Sequence, residues 1–314
     1  MLRDSDGGGW TNPELASWFE DYAEVAFGLF GDRVKTWLTF NEPVSFCDVA
    51  YEGGKAAPGI ALPGIGNYIC AKVVMLAHAR AYRLYDTKFR LQYRGKVGLT
   101  NHHLWCEPKN SDEEENAELM RNVMALYSYP IYSKTGGWPP SVEKRIAEIS
   151  EQEGYSQSRL PPFTREEMEY IKGKEERLCT FDFYGLNYYT SRVVETAKPG
   201  ENLTWVSLSG SSEFGLALTP DPSWKAGLAW LISYPPGIRR QLQWLKQKFG
   251  DIEFQIMENG YATSEPVMYD DERVNYYKDH LEQLLLAINE DKVFVTAYTA
   301  WSLMDNYEWN SGYT

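Results

Sequence analysis

The stretch VKTWLTFNEP (34–43) joins a run of β-branched and aromatic residues to a polar end, Asn-Glu-Pro. Such a run favours a buried strand, and the proline favours a break directly after it. An amphipathic stretch at 13–30 comes before it, with apolar residues at helical spacing, and Gly31 is a suitable helix end. This part of the sequence therefore predicts a helix, then a buried strand that ends at the carboxylate of Glu42.

The same alternation continues along the chain. Further strand-like runs are KVGLTNHHL (96–104), FDFYGLNYY (181–189), IEFQIM (252–257) and VFVTAYTAW (293–301). Helical spacing appears between them at 68–89, 112–127, 237–249 and 270–289. Buried strands that alternate with helices indicate parallel βα units covered on both faces, so an α/β fold is predicted. A doubly wound sheet also fits, but no GxGxxG or GxxxxGK motif follows a strand, which favours a (β/α)8 barrel.

The charge, the distribution of apolar residues and the cysteine spacing make several classes of partner and site unlikely. The chain has 44 acidic and 31 basic residues, a formal net charge of −13, which disfavours nucleic acid and anionic membrane surfaces as partners. It has no apolar run long enough to span a bilayer, and residues 1–9 contain no apolar segment that would predict a signal peptide. The four cysteines form no CxxC pair, which excludes a zinc knuckle and favours buried free thiols.

The adjacent His102 and His103 lie on a predicted strand, where neighbouring side chains face opposite ways. At most one of them can reach the mouth of a barrel, so we do not expect a metal-ligand pair.

Two carboxylates occupy equivalent positions at the ends of predicted strands. Glu42 follows the first strand and Glu258 follows the fourth, and a barrel would point both into one mouth. One protonated and one ionised carboxyl group are what glycoside hydrolysis requires. Each glutamate could instead cap the following helix or pair with a buried arginine, but the matched positions favour a shared site.

At these residues the sequence resembles glycoside hydrolase family 1. The matching blocks are WLTFNEP (37–43), YGLNYYT (184–190), IMENGY (256–261) and AWSLMDNYEWNSGYT (300–314). That family contains retaining β-glucosidases, lactase-like and klotho-like proteins, and myrosinases. The resemblance implies a TIM barrel and hydrolysis of small-molecule or oligosaccharide β-glycosides, with no metal or other cofactor.

The resemblance also implies a role for each matching residue. Glu42 would be the general acid/base, with Asn41 holding the sugar 2-hydroxyl and Asn187 lying near the acid/base. Glu258 would be the nucleophile, oriented by a hydrogen bond from Tyr189. Three further residues would bind the sugar: Trp301, Glu308 and Trp309.

The extent of the resemblance predicts an incomplete barrel within a single partial catalytic domain, 1–314. Strands 4–8 are expected to be present, and strands 1–3 and the last helix missing, which leaves two open sheet edges. A catalytically inert remnant or a klotho-like carbohydrate-binding protein is therefore one alternative to a β-glucosidase, and an insect-type thioglucosidase is another. The family resemblance implies a secretory location, for which Asn202 in Asn-Leu-Thr is a candidate glycosylation site.

Overall fold

The computed structural model describes residues 8–54, 56–173, 179–200, 203, 210–211, 213–228, 230–263 and 267–313. Its α-helices are α1 (Leu15–Phe30), α2 (Pro43–Glu52), α3 (Gly66–Leu84), α4 (Arg90–Tyr93), α5 (Glu114–Met124), α6 (Tyr129–Tyr132), α7 (Pro140–Gln152), α8 (Arg165–Lys172), α9 (Pro236–Phe249) and α10 (Asp271–Asn289). Its strands are β1 (Thr36–Asn41), β2 (Lys96–Pro108), β3 (Phe183–Thr196), β4 (Gly210–Ser211), β5 (Leu216–Thr219), β6 (Lys225–Ala226), β7 (Ile232–Ser233), β8 (Phe254–Glu258) and β9 (Val295–Tyr298).

One sheet organises the fold. Strands β1, β2, β3, β8 and β9 are parallel neighbours in that order, and β5 and β4 extend the sheet from the distal half of β3. All five strands predicted from the sequence are present, as are the helices predicted before and between them. The prediction that every strand is buried is wrong for β1 and β9, which are largely half-exposed because each has a strand on one side only. β2 and β3 are buried along most of their length because helices and loops cover both faces.

Some elements are located only by the structure. Helices α7 and α8 lie between β2 and β3, in the interval 106–180 for which the sequence predicts short helices without bounds, and α2, which is not predicted, starts immediately after Glu42. Pro43 opens α2, a position where its missing N–H costs nothing because the first turn has no partner for it. α2 therefore fixes the direction in which the chain leaves the end of β1.

The five parallel strands have two open edges in the part of the chain that the structure describes. β1 pairs with β2 alone, and β9 pairs with β8 alone. Next to these edges lie apolar side chains that are more than a third exposed, on α1 (Trp18, Tyr22, Val25, Leu29) and on α10 (Val274, Leu281, Leu285). This parallel sheet therefore does not close on itself. Within the described ranges, no helix is long and apolar enough to cross a bilayer.

The expectation of free cysteines is wrong for two of the four. Cys47 on α2 and Cys70 on α3 form a disulfide, with 5.7 Å between their Cα atoms. The two residues are distant in sequence, but the packing of α2 against α3 brings them together in the core. Cys106 is a buried free thiol and Cys179 a half-buried one.

We predict that alkylation of the denatured chain will modify two cysteines without reductant and four with it, as counted by intact mass. The disulfide closes 23 residues of chain, for which a chain-entropy estimate gives a stabilisation of about 3 kcal/mol. The double variant Cys47→Ala/Cys70→Ala should therefore lower the free energy of urea unfolding by about that amount. Cys179→Ala is the matched control, and four alkylated cysteines without reductant would contradict the pairing.

Candidate active site

The candidate site lies at the carboxyl ends of the parallel strands. His102 of β2 pairs in register with Asn187 of β3, which in turn pairs with Glu258 of β8. Side chains that are in register on parallel strands point to the same face of the sheet. Glu42 joins this row from β1, where its backbone N–H donates to the carbonyl of Thr100 at 3.0 Å.

The carboxylate of Glu42 is buried, and each of its two oxygens accepts a hydrogen bond. Its side chain is 8% exposed. Asn187 Nδ2 donates to Oε1 at 2.8 Å, and Ser45 Oγ donates to Oε2 at 2.8 Å. Asn187 is itself held in place, because it donates to Asn41 Oδ1 at 3.1 Å and accepts from Thr100 Oγ1 at 3.1 Å. The resemblance implies that Asn41 and Asn187 lie near Glu42, and the structure joins the three residues by direct hydrogen bonds.

Glu258 is half-buried and accepts a hydrogen bond from the Tyr189 hydroxyl, 2.5 Å from its Oε2. Burial is the main cause that raises its pKa, to about 7, and the negative charges of Glu42 and Glu308 act in the same direction. Hydrogen bonds from Tyr189 and Asn187 lower that pKa. Burial, followed by the charge of Glu258, also raises the pKa of Tyr189 well above its usual value, which keeps its hydroxyl a proton donor.

The C-terminal segment (299–313) follows β9 at an open edge of the sheet. It contains the remaining predicted site residues, Trp301, Glu308 and Trp309. Trp301 Nε1 donates to Glu308 Oε1 at 3.1 Å, and Glu308 is close enough to affect the pKa of Glu258. Trp301 is 41% exposed and Trp309 is 61% exposed. The structure therefore brings Glu308 and Trp301 together near the carboxylates, whereas it leaves Trp309 facing solvent.

Aromatic residues that were not predicted as part of the site line one side of it. Trp230 packs edge-on against Tyr189, with 5.9 Å between ring centroids, and against His102 at 6.2 Å. His103 faces the other way, where its Nε2 lies 2.6 Å from the Tyr184 hydroxyl, so the two histidines point apart as expected. Trp230 lies in a loop after β6, and neither periodicity nor spacing in the sequence indicates its position.

Two other residues, Ser45 and Tyr276, contact the site although they are not predicted to do so from the sequence. Ser45 follows Glu42 by three residues, the spacing at which side chains meet across the first turn of a helix, so its contact could have been expected once α2 was known. Tyr276 on α10 donates to the carbonyl of Tyr189 at 2.9 Å, and no sequence pattern indicates this contact.

Among the described residues, no group of three or more His, Cys, Asp or Glu side chains is arranged to hold a metal ion. The candidate glycosylation residue Asn202 lies outside the described residues.

Comparison with known proteins adds independent information. Myrosinase 1 of Brevicoryne brassicae is 36% identical over 314 residues, and human cytosolic beta-glucosidase is also 36% identical over 314 residues. Each alignment covers 98% of this chain but only 64% of the relative, so the chain spans about two thirds of their length. Human lactase/phlorizin hydrolase is 37% identical over 98% of this chain and 16% of that protein.

Solved structures show the same relationship. A structure of aphid myrosinase superposes with a TM-score of 0.85 at 35% identity, covering 97% of this chain and 64% of the other. A rice beta-glucosidase structure gives a TM-score of 0.82 at 29% identity, covering 98% and 66%. The open parallel sheet therefore corresponds to part of a TIM barrel. The sequence pattern of Glycosyl hydrolase family 1 matches residues 1–314, and the chain belongs to that family.

Proposed function

We propose that the chain carries the catalytic pair of a retaining β-glucosidase that hydrolyses O-glycosides. The observation that carries the proposal is the Asn187 amide, which donates to Glu42 and also reaches Glu258. Two carboxyl groups on either side of one asparagine fit the paired carboxylates of glycoside hydrolysis, and the resemblance to retaining enzymes favours attack by Glu258 over activation of water. The relatives named as beta-glucosidases support the same activity.

The reaction proceeds in two displacements. Protonated Glu42 donates its proton to the glycosidic oxygen while the Glu258 carboxylate attacks the anomeric carbon, so the bond to the leaving group breaks as the glycosyl–enzyme bond forms. Glu42, now ionised, takes a proton from water, whose oxygen displaces Glu258 and releases the sugar with retained configuration. The hydrogen bond from Tyr189 orients the Glu258 carboxylate toward the anomeric carbon.

The sugar lies between the carboxylates and the C-terminal segment. Trp301 supplies an apolar ring for one face of the pyranose, and Glu308 accepts hydrogen bonds from its hydroxyls. Asn41, which is exposed beside Glu42, is placed to contact the sugar 2-hydroxyl. Trp309 takes part only if its exposed ring turns toward the bound sugar.

A thioglucosidase is the second candidate function, favoured by the similarity to aphid myrosinase. Turnover of a matched pair of O-linked and S-linked aryl β-glucosides distinguishes the β-glucosidase from the thioglucosidase.

We also propose a secretory location, because the Cys47–Cys70 disulfide is typical of oxidising compartments.

We predict that a 2-deoxy-2-fluoro-β-glucoside with a dinitrophenyl leaving group will form one covalent adduct, on Glu258. The fluorine slows release of the glycosyl–enzyme more than its formation, so the intermediate accumulates. Intact mass and peptide mapping measure the adduct. Glu258→Gln should abolish it, whereas Glu253→Gln, a nearby carboxylate paired with Lys96 outside the site, should not. A folded wild-type chain without an adduct would contradict the proposal and support a carbohydrate-binding remnant.

We predict that the rate of this labelling rises with pH, with a midpoint near the pKa of Glu258 at about 7, because only the ionised carboxylate attacks. Tyr189→Phe removes a hydrogen bond that lowers this pKa, so the midpoint should move upward by about one to two pH units. Tyr188→Phe is the matched control, since the Tyr188 hydroxyl bonds Ser191 away from the site. A downward or absent shift in Tyr189→Phe would contradict the role of Tyr189.

A further inference from the structure

We propose that Asn259 and Tyr276 are positioning residues that hold Tyr189 and Glu258 in hydrogen-bonding alignment. The inference rests on the proposed function, in which Glu258 is the nucleophile. Neither side chain contacts either catalytic carboxylate in the structure, and both act through the backbone of the residues that do.

Asn259 directly follows Glu258 and is fully buried. Its Nδ2 donates to the carbonyl of Tyr188 at 2.7 Å and to the hydroxyl of Tyr276 at 3.0 Å, and its Oδ1 accepts from the Tyr298 hydroxyl at 2.7 Å. Both amide protons and the amide oxygen are therefore in use. The side chain joins the ends of β3, β8 and β9 to α10, so it holds the backbone next to Glu258 in place from three directions.

Tyr276 completes the connection to Tyr189. Its hydroxyl accepts from Asn259 and donates to the carbonyl of Tyr189 at 2.9 Å. Its ring is 3% exposed and lies between two others, stacked on Tyr261 with 4.9 Å between centroids and on His280 with 3.9 Å. The hydroxyl consequently has one available position, and that position fixes the backbone from which the Tyr189 side chain extends.

Asn259 also restrains the backbone of Trp301, the residue that we propose lies against the sugar ring. The carbonyl of Asn259 accepts from the backbone N–H of Trp301 at 2.9 Å. The Tyr277 hydroxyl, on the same helix as Tyr276, donates to the carbonyl of Trp301 at 3.3 Å. The nucleophile, its tyrosine partner and the backbone of Trp301 are thus linked by one set of hydrogen bonds.

Four groups affect the pKa of Glu258 through their charge or their hydrogen bonds. They are Glu42 at the end of β1, Glu308 in the C-terminal segment, and Tyr189 and Asn187 on β3. Tyr276 is not among them. A change at its hydroxyl reaches Glu258 through Tyr189 and Asn259, which together set the alignment of the Tyr189–Glu258 hydrogen bond. A positioning effect should therefore disappear when the Tyr189 hydroxyl is removed.

The test compares Tyr276→Phe with Tyr261→Phe. Both replace a tyrosine by phenylalanine in the same aromatic cluster, but the Tyr261 hydroxyl donates to the carbonyl of Ala226 at 3.0 Å and not to Tyr189. Tyr276→Phe should raise the pH midpoint of fluoroglucoside labelling, in the same direction as Tyr189→Phe, and slow labelling about tenfold at pH 7. Tyr261→Phe should leave the midpoint at the wild-type value. Equal midpoints in Tyr276→Phe and wild type would overturn the proposal.

A double-mutant cycle separates positioning from a general loss of stability. If Tyr276 acts through the Tyr189 hydroxyl, Tyr276→Phe should shift the midpoint no further in a Tyr189→Phe background. Additive shifts would overturn the proposal. Tyr298→Phe, which releases the Asn259 amide oxygen, provides a second variant in case Tyr276→Phe does not fold, and it should raise the midpoint in the same direction.

A readout without turnover keeps the two proposals distinguishable. Carbon-13 NMR of labelled glutamate carboxyl groups, with Glu258 assigned from Glu258→Gln, measures its pKa directly. Wild type without a covalent adduct would contradict the proposed function alone. A Glu258 pKa that is the same in wild type, Tyr276→Phe and Tyr298→Phe would contradict the positioning role, whatever the activity.

Discussion

The buried amide of Asn187 is the interaction on which the site depends. A carboxyl group as buried as that of Glu42 is costly unless protein groups replace the hydrogen bonds it made with water. Asn187 provides one of those groups, and it does so only because β3 lies in register with β2 and β8. The register of the strands therefore determines the position of Asn187 in the site. A slip of one residue in β3 would turn Asn187 to the opposite face of the sheet.

The two halves of the site are supported to different degrees. Glu258 and Tyr189 lie on β8 and β3, which have a strand on either side, and buried side chains from α10 hold their backbones. Trp301 and Glu308 follow β9, an open edge in the described part of the chain, and both are exposed. The carboxylate half is thus built from the core of the sheet, whereas the half that we propose binds the sugar depends on surface contacts.

Much of this organisation could be predicted from the sequence, because alternation of buried strands and amphipathic helices is a local property. Glu42 and Glu258 stand out since each follows a buried strand directly. Pairing across the fold is not local, and so the disulfide of Cys47 with Cys70 was missed. Trp230 was missed for the same reason: a loop that lacks periodicity brings it to the site.

The backbone of Glu42 adopts a left-handed conformation, with φ of 51°, at the point where β1 gives way to α2. Few residues other than glycine, asparagine and aspartate tolerate this geometry at low cost. Under the proposed function, substitution at position 42 is therefore limited both by the chemistry of the carboxyl group and by backbone strain. A lineage that lost the need for catalysis would be expected to accumulate glycine or asparagine there sooner than valine or isoleucine, so the replacement found in a relative would record the shape of this turn even after the activity was gone.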